Sequence, residues 1–134
     1  MIKWIAGAFI LFIFYTIYLA NNAAHDHIFF VFVKWLPYGD KFGHLGLIGT
    51  LALLVNLAIG LKVFRGWYVD RTPILLGTII ISILVILEEF SQLFLINRTF
   101  DLGDLAFDFI GIVLANWAAA TWLAYQDHKR MQSI

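Results

Sequence analysis

The chain has 134 residues, of which 62% are hydrophobic, 17% aromatic and 13% charged, with no cysteine and a formal net charge of zero. Soluble domains contain about 25% charged residues, so a mean hydropathy of +0.86 indicates a membrane protein. Without a basic excess the chain lacks the charge that nucleic-acid binding requires, and without cysteine it has no disulfides and no thiolate metal site.

Four apolar stretches are each long enough to cross a membrane, since about 20 helical residues span the hydrocarbon core. They are residues 4–20, 42–63, 73–96 and 102–125. These runs are too long for barrel strands and lack their alternation. The sequence therefore predicts an all-α membrane protein, a four-transmembrane-helix bundle that forms a single domain over residues 1–134. Residues 4–20 are longer than a signal-peptide core and are predicted to be an uncleaved anchor.

The connection between the first two predicted helices, residues 21–41, is the longest and contains the apolar run HIFFVFVKWLPYG. Such a segment is too hydrophobic for an open aqueous loop, so we expect it to lie along the membrane interface or to cap the bundle. Its two histidines, His25 and His27, are better explained by solvent exposure than by metal binding.

The distribution of Lys and Arg predicts the orientation, because these residues are retained on the cytoplasmic side. Six fall on one side of the predicted membrane (Lys3, Lys62, Arg65, Arg71, Lys129, Arg130) and three on the other (Lys34, Lys41, Arg98). The sequence thus predicts a multi-pass protein of the cell membrane with both termini in the cytoplasm and residues 97–101 outside.

The ionisable residues of the three later helices concentrate at their predicted outer ends. The second helix begins with Asp40, Lys41 and His44, and the other ionisable residues of this set are Glu88, Glu89, Arg98, Asp101, Asp104 and Asp108, with the neutral Gln92 among them. At 3.6 residues per turn, Asp101, Asp104, Asp108 and Gly111 form one stripe. Charges inside a membrane are costly unless they face the bundle interior or a wet cavity. We therefore expect these side chains to face one another across an outward-facing polar pocket.

The ordered motifs D-K-x-x-H at 40–44, E-x-x-Q at 89–92, Arg98, Asp101, Asp104 and Gly111 resemble the VanZ-like family of small bacterial membrane proteins. The resemblance covers about residues 40–115. It implies a role in the cell envelope, and the family's namesake is associated with resistance to the glycopeptide antibiotic teicoplanin. Family members usually have Asn at the position of Asp108, so this chain adds an acid to the pocket.

Five motif carboxylates (Asp40, Glu89, Asp101, Asp104, Asp108) and two motif cations (Lys41, Arg98) leave an acidic surplus. Protonation, a divalent metal or a cationic ligand could offset this surplus of negative charge. The standard metal-binding spacing H-E-x-x-H is absent, so the sequence identifies no cofactor and does not favour a metal. His44, Glu89 and Asp104 are the candidate catalytic residues. Asp40, Lys41, Gln92, Arg98, Asp101 and Asp108 are the candidate substrate-binding residues, with Lys41 and Arg98 expected to hold an anionic headgroup.

These residues favour a protein of the lipid bilayer that binds or modifies a lipid or lipoglycopeptide at the outer leaflet. The sequence does not decide whether the protein is an enzyme. It is also compatible with an oligomer. Two alternatives stay open. The charged cluster could be an ion-pair clamp in a structural or partner-binding subunit, or a relay in a proton- or ion-coupled transporter. Elsewhere, Asn56, Ser82 and Asn116 are expected to form hydrogen bonds between helices, and Gly46, Gly49 and Gly111 to allow close helix approach.

Overall fold

The computed structural model describes residues 1–22, 31, 35, 37–96 and 98–133. In that part of the chain four long helices are present: α1 (Ile2–Asn21), α2 (Gly39–Ala58), α3 (Leu76–Ser91) and α4 (Leu102–Gln132). A 3-10 turn, Gln92–Phe94, extends α3, and each of the four is long and apolar enough to cross a membrane. The chain is thus compatible with a multi-pass membrane protein. Most of the 21–41 connection, including His25 and His27, lies outside the described residues.

A β-hairpin between α2 and α3 was not predicted. Strand β1 (Val63–Val69) pairs antiparallel with β2 (Thr72–Leu75), and Val69 faces Thr72 across a turn at Asp70 and Arg71. Both turn residues have positive φ, 46° and 67°, the backbone that a tight two-residue hairpin turn requires. From the sequence, most of β1 was expected to be a loop, and all of β2 except Thr72 was expected to belong to the third helix.

The second helix ends at Ala58, five residues before the predicted boundary at Val63. Gly60 has a φ of 79°, and its N–H donates to Leu57 O at 3.2 Å while Leu61 N donates to Asn56 O at 2.9 Å. This pair of bonds is the Schellman arrangement that stops helices at glycine. Hydropathy continues past this point, so the apolar run alone overestimated the length of the helix.

The beginning of α3 is capped by side chains from the two neighbouring helices. Asn56 of α2 accepts from Thr78 N at 3.2 Å, and Asn116 of α4 accepts from Leu75 N at 3.0 Å and from the Thr78 hydroxyl at 2.8 Å. Asn116 also donates to Pro73 O at 3.0 Å. These bonds satisfy N-terminal N–H groups that an isolated helix leaves free, which confirms the prediction that Asn56 and Asn116 connect helices and adds Thr78 to them.

The two central helices are α2 and α4, which approach at a pair of glycines. A Cβ atom added at Gly49 would lie 3.0 Å from Gly111 O, and one added at Gly111 would overlap Leu45 O. Gly46 was expected to share this contact, but a Cβ atom added there would have no described residue within 4 Å. The adjoining core consists of Ile13, Leu51, Ala52, Ile81, Val85, Ile112 and Ala115, and α1 packs mainly against α2.

We expect Thr78→Val to lower the free energy of unfolding by about 1 kcal/mol, because it removes two buried hydrogen bonds while preserving the shape of the side chain. The hydroxyl accepts from Asn56 Nδ2 at 3.0 Å as well as donating to Asn116. Equilibrium unfolding in mixed micelles measures this change. Thr121→Val is the matched control, because that exposed hydroxyl bonds only to Trp117 O of its own helix. Equal effects of the two substitutions would contradict the buried network.

Candidate functional site

Lys41 connects the first turn of α2 to the first turn of α4. Its Nζ donates to Asp101 Oδ2 at 2.6 Å and to Asp104 Oδ1 at 2.5 Å. The side chains of Lys41 and Asp104 are 23% and 11% exposed, whereas that of Asp101 is 49% exposed. The Lys41 ammonium lowers the pKa of the Asp101 carboxyl, and the Gly103 N–H, which donates to Asp101 Oδ1 at 2.7 Å, lowers it further. Asp101 thereby caps α4 as an ionised carboxylate.

His44 lies one turn along α2 from Lys41 and faces Asp108 of α4. Its Nδ1 is 3.1 Å and 3.2 Å from the two Asp108 carboxylate oxygens. An ionised carboxylate can only accept, so with Asp108 ionised the hydrogen bond requires a proton on Nδ1 and leaves Nε2 for other chemistry. Nε2 lies 3.7 Å from Asp104 Oδ2. Asp108 therefore orients His44.

Glu89 of α3 is fully buried and fixes the turn before α4. Its Oε1 accepts from Asp101 N at 2.8 Å, and its Oε2 accepts from Gln92 Nε2 at 2.9 Å. Gln92 Nε2 also donates to Glu88 Oε2 at 3.1 Å. These contacts give Glu89 and Gln92 a positioning role in the site, since they hold Asp101 where Lys41 meets it.

Arg98 lies in the turn between α3 and α4. Its Nε donates to Gln92 Oε1 at 3.4 Å, and it forms no ion pair with any other residue that the structure describes. An ion-pair clamp in which Arg98 binds a carboxylate is therefore absent from the described residues. Of the two motif cations, Lys41 is occupied by acids and Arg98 is available to a ligand.

A cavity of about 700 Å³ lies between α1, α2 and α3 and reaches α4 at its polar end. One end carries the ionisable and polar side chains Asp40, His44, Glu88, Gln92, Arg98, Asp104 and Asp108. The remaining wall is almost entirely apolar and extends along α2 to Val55, which is about 22 Å from Asp40 at 1.5 Å per residue. The cavity volume is within the range of small-molecule sites, about 300–1,000 Å³.

Three side chains at the polar end have the residue types and spacing of metal ligands. Asp40, His44 and Asp104 each present one ligand atom, and these atoms lie within 4.8 Å of one another. Asp40 is exposed and Asp104 is 8% exposed. Carboxylate oxygen and imidazole nitrogen together suit Zn²⁺ or Mn²⁺.

The structure brings nearly all of the predicted site residues to one end of the bundle. Some of them join helices to one another, and others line the cavity. Lys41, Asp101 and Glu89 hold the helices together and do not line the cavity, whereas Glu88 does. Gly43 and Thr99 also line it and were not predicted. Gly43 is one turn from Asp40 and beside His44, so the shared helix face was the signal available for it.

Comparisons with family models, with curated proteins and with solved structures found no match to this chain. The resemblance to the VanZ-like family therefore stays a prediction, supported by the motif residues alone.

Proposed function

We propose that this protein is a VanZ-like membrane protein that binds an amphiphile, either a lipid or a lipoglycopeptide, at the outer leaflet of the bacterial cell envelope. The observation that carries this proposal is the cavity, because its two ends match the two parts of such a molecule. Its apolar walls from α1, α2 and α3 suit acyl or prenyl chains, and its polar end suits a headgroup. The outward orientation rests on the distribution of Lys and Arg.

The contacts refine how a headgroup would be held. Arg98 is the cation at the cavity that no described carboxylate neutralises, and guanidinium groups bind phosphates and carboxylates through two parallel hydrogen bonds. Lys41 is already bonded to two acids, so we assign the headgroup to Arg98. His44 Nε2 lies at the same end of the cavity and, when no metal ion is bound to it, is the group that would transfer a proton if the bound amphiphile is modified.

Gly43→Phe tests this function by filling the cavity. Among the described residues, a Cβ atom at Gly43 meets nothing within 4 Å and would project from a residue of the cavity lining, so the added ring displaces ligand without a clash at its base. We expect it to lower amphiphile affinity at least about tenfold, or 1.4 kcal/mol. Native mass spectrometry of purified protein, incubated in turn with polyprenyl phosphate, phosphatidylglycerol and teicoplanin, measures retention.

Gly46→Phe is the matched control, because Gly46 is on the same helix, also faces open space and lies outside the cavity lining. We expect it to retain the amphiphile as wild type does. Failure of wild type to retain any of the three probes, or equal retention by the Gly43 and Gly46 variants, would overturn amphiphile binding in this cavity.

A structural role for the charged cluster is the second candidate, and the Lys41 contacts favour it. One ammonium group joins the beginnings of α2 and α4 through two carboxylates, as expected of an ion-pair clamp. Nothing comparable supports the transporter alternative: at the opposite end, the buried polar groups described are the neutral side chains Asn56, Thr78 and Asn116, which do not continue a proton path.

A further inference from the structure

We propose that Asp40, His44 and Asp104 bind a divalent transition-metal ion, Zn²⁺ or Mn²⁺, at the polar end of the cavity. Their ligand atoms lie within 4.8 Å of one another. The inner pair, His44 Nε2 and Asp104 Oδ2, are 3.7 Å apart, close to the roughly 3.4 Å between neighbouring ligands in a tetrahedral site with bonds of about 2.0–2.2 Å.

The orientation of His44 is the first observation that distinguishes this cluster from a group of surface acids. Metal-binding histidines usually donate their second ring N–H to a carboxylate, which fixes the tautomer and directs the free nitrogen at the metal. The contact of His44 Nδ1 with Asp108, at 3.1 Å, has this form. Asp108 is 2% exposed, so it is a buried support for the imidazole and not a solvated neighbour.

The second observation is an oxygen without a donor. Asp104 is 8% exposed, and Lys41 bonds to its Oδ1 only. Its Oδ2 faces His44 Nε2 and accepts no hydrogen bond from the described residues. Asp104 lines the cavity, so a cation that enters the cavity would find this oxygen free to bind it beside His44 Nε2.

The charges around the cluster also favour a dication. The Lys41 ammonium is shared by Asp101 and Asp104, and Asp108 is bonded to His44. Asp40 forms no hydrogen bond or ion pair with another residue in the described part of the chain. A divalent ion at His44 Nε2 would offset the remaining negative charge, and an imidazole ligand favours Zn²⁺ or Mn²⁺ over Mg²⁺ and Ca²⁺, which prefer oxygen.

Three protein ligands leave at least one coordination position open, as in sites where a metal binds water or substrate. The open position would face the cavity, since all three ligands line it. The metal site does not require that the cavity bind an amphiphile, and it is tested with the metal alone.

The test is the metal content of purified full-length protein that has been treated with chelator, loaded with Zn²⁺ or Mn²⁺ and desalted. We expect one ion per chain in wild type, and at least about a tenfold weaker affinity in Asp40→Asn. His44→Ala should retain no ion. Asp40 is exposed and makes no described side-chain bond, so Asp40→Asn is expected to fold normally and keeps the test decisive if His44→Ala does not fold.

Asp127→Asn and His128→Ala are matched controls, because they change the same residue types at exposed positions near the other end of α4. Both should bind the ion as wild type does. The proposal is overturned if wild type retains no Zn²⁺ or Mn²⁺, or if either Asp40→Asn or His44→Ala retains it with unchanged affinity. Amphiphile retention by wild type and Gly43→Phe is measured in chelator, so the two proposals fail separately.

Discussion

Gly111→Leu is expected to lower the free energy of unfolding by about 3 kcal/mol, at the upper end of overpacking effects. Already the first added atom, Cβ, would overlap Leu45 O and lie 3.1 Å from Gly49 N. Both neighbours belong to the backbone of α2, which cannot move aside as a flexible side chain does. Helices α2 and α4 must therefore separate, and the close approach that small residues permit in membrane bundles is lost.

Gly46→Leu provides the control for this prediction, since a Cβ atom there meets nothing within 4 Å. We expect its unfolding in mixed micelles to follow that of wild type, whereas Gly111→Leu should unfold at a clearly lower denaturant fraction. If the two variants unfold together, α2 and α4 do not pack at Gly49 and Gly111. The polar contacts between His44 and Asp108 would then need a different explanation, because they lie one turn from the glycine contact.

Much of the fold was accessible from the sequence because hydropathy and length determine which segments can cross a membrane. The fourth helix begins at Leu102, as predicted, since Asp101 is a strong helix cap. It continues to Gln132, seven residues past the predicted end, because its last turns are polar yet still favourable for a helix. The hairpin was missed because apolar residues at its two ends, Val63 and Pro73–Leu75, continue the apolar runs of the flanking helices, and the stop signal at Gly60 was not weighed against that hydrophobicity.

The sequence predicted which residues lie at the site, but it did not predict which of their side chains contact one another. Helical spacing placed Asp104, Asp108 and Gly111 on one face, and all three are buried. Which acid Lys41 would meet depends on the rotation and separation of α2 and α4, which spacing within one helix does not determine. The cavity was not predictable in detail either, because it arises from where α1 and α3 fail to fill the space beside α2.

Lys41 and Arg98 contact different groups, and each contact supports a different candidate function. Lys41 joins α2 to α4, while Arg98 and His44 face the cavity. A clamp and a binding pocket can therefore coexist at one end of the bundle, made by different residues. Substitutions that separate stability from ligand retention will distinguish them, and Lys41 is the position where a clamp predicts the larger effect.

We expect Lys41→Met to lower the free energy of unfolding by about 2 kcal/mol. Breaking a fully buried ion pair costs about 3–5 kcal/mol, because the remaining charge is left unpaired. We expect a smaller loss of stability here, because 23% of the Lys41 side chain is exposed and solvent screens the ion pair. Asp104, whose side chain is 11% exposed, loses the ammonium group that is bonded to its Oδ1. Lys62→Met, at an exposed lysine beyond the other end of α2, is the control and should have little effect.

The double variant Lys41→Met/Asp104→Asn identifies the cause of that loss. If the cost of Lys41→Met comes from the stranded Asp104 carboxylate, neutralising Asp104 should restore about 1 kcal/mol, and the two substitutions will not be additive. Additive losses would mean that Lys41 and Asp104 are not paired.

Amphiphile retention per folded molecule should be unchanged in Lys41→Met, because its ammonium bonds to Asp101 and Asp104 and Lys41 does not line the cavity. A large loss of retention in folded Lys41→Met would instead place Lys41 in the headgroup site, and the separation of clamp from pocket would be wrong.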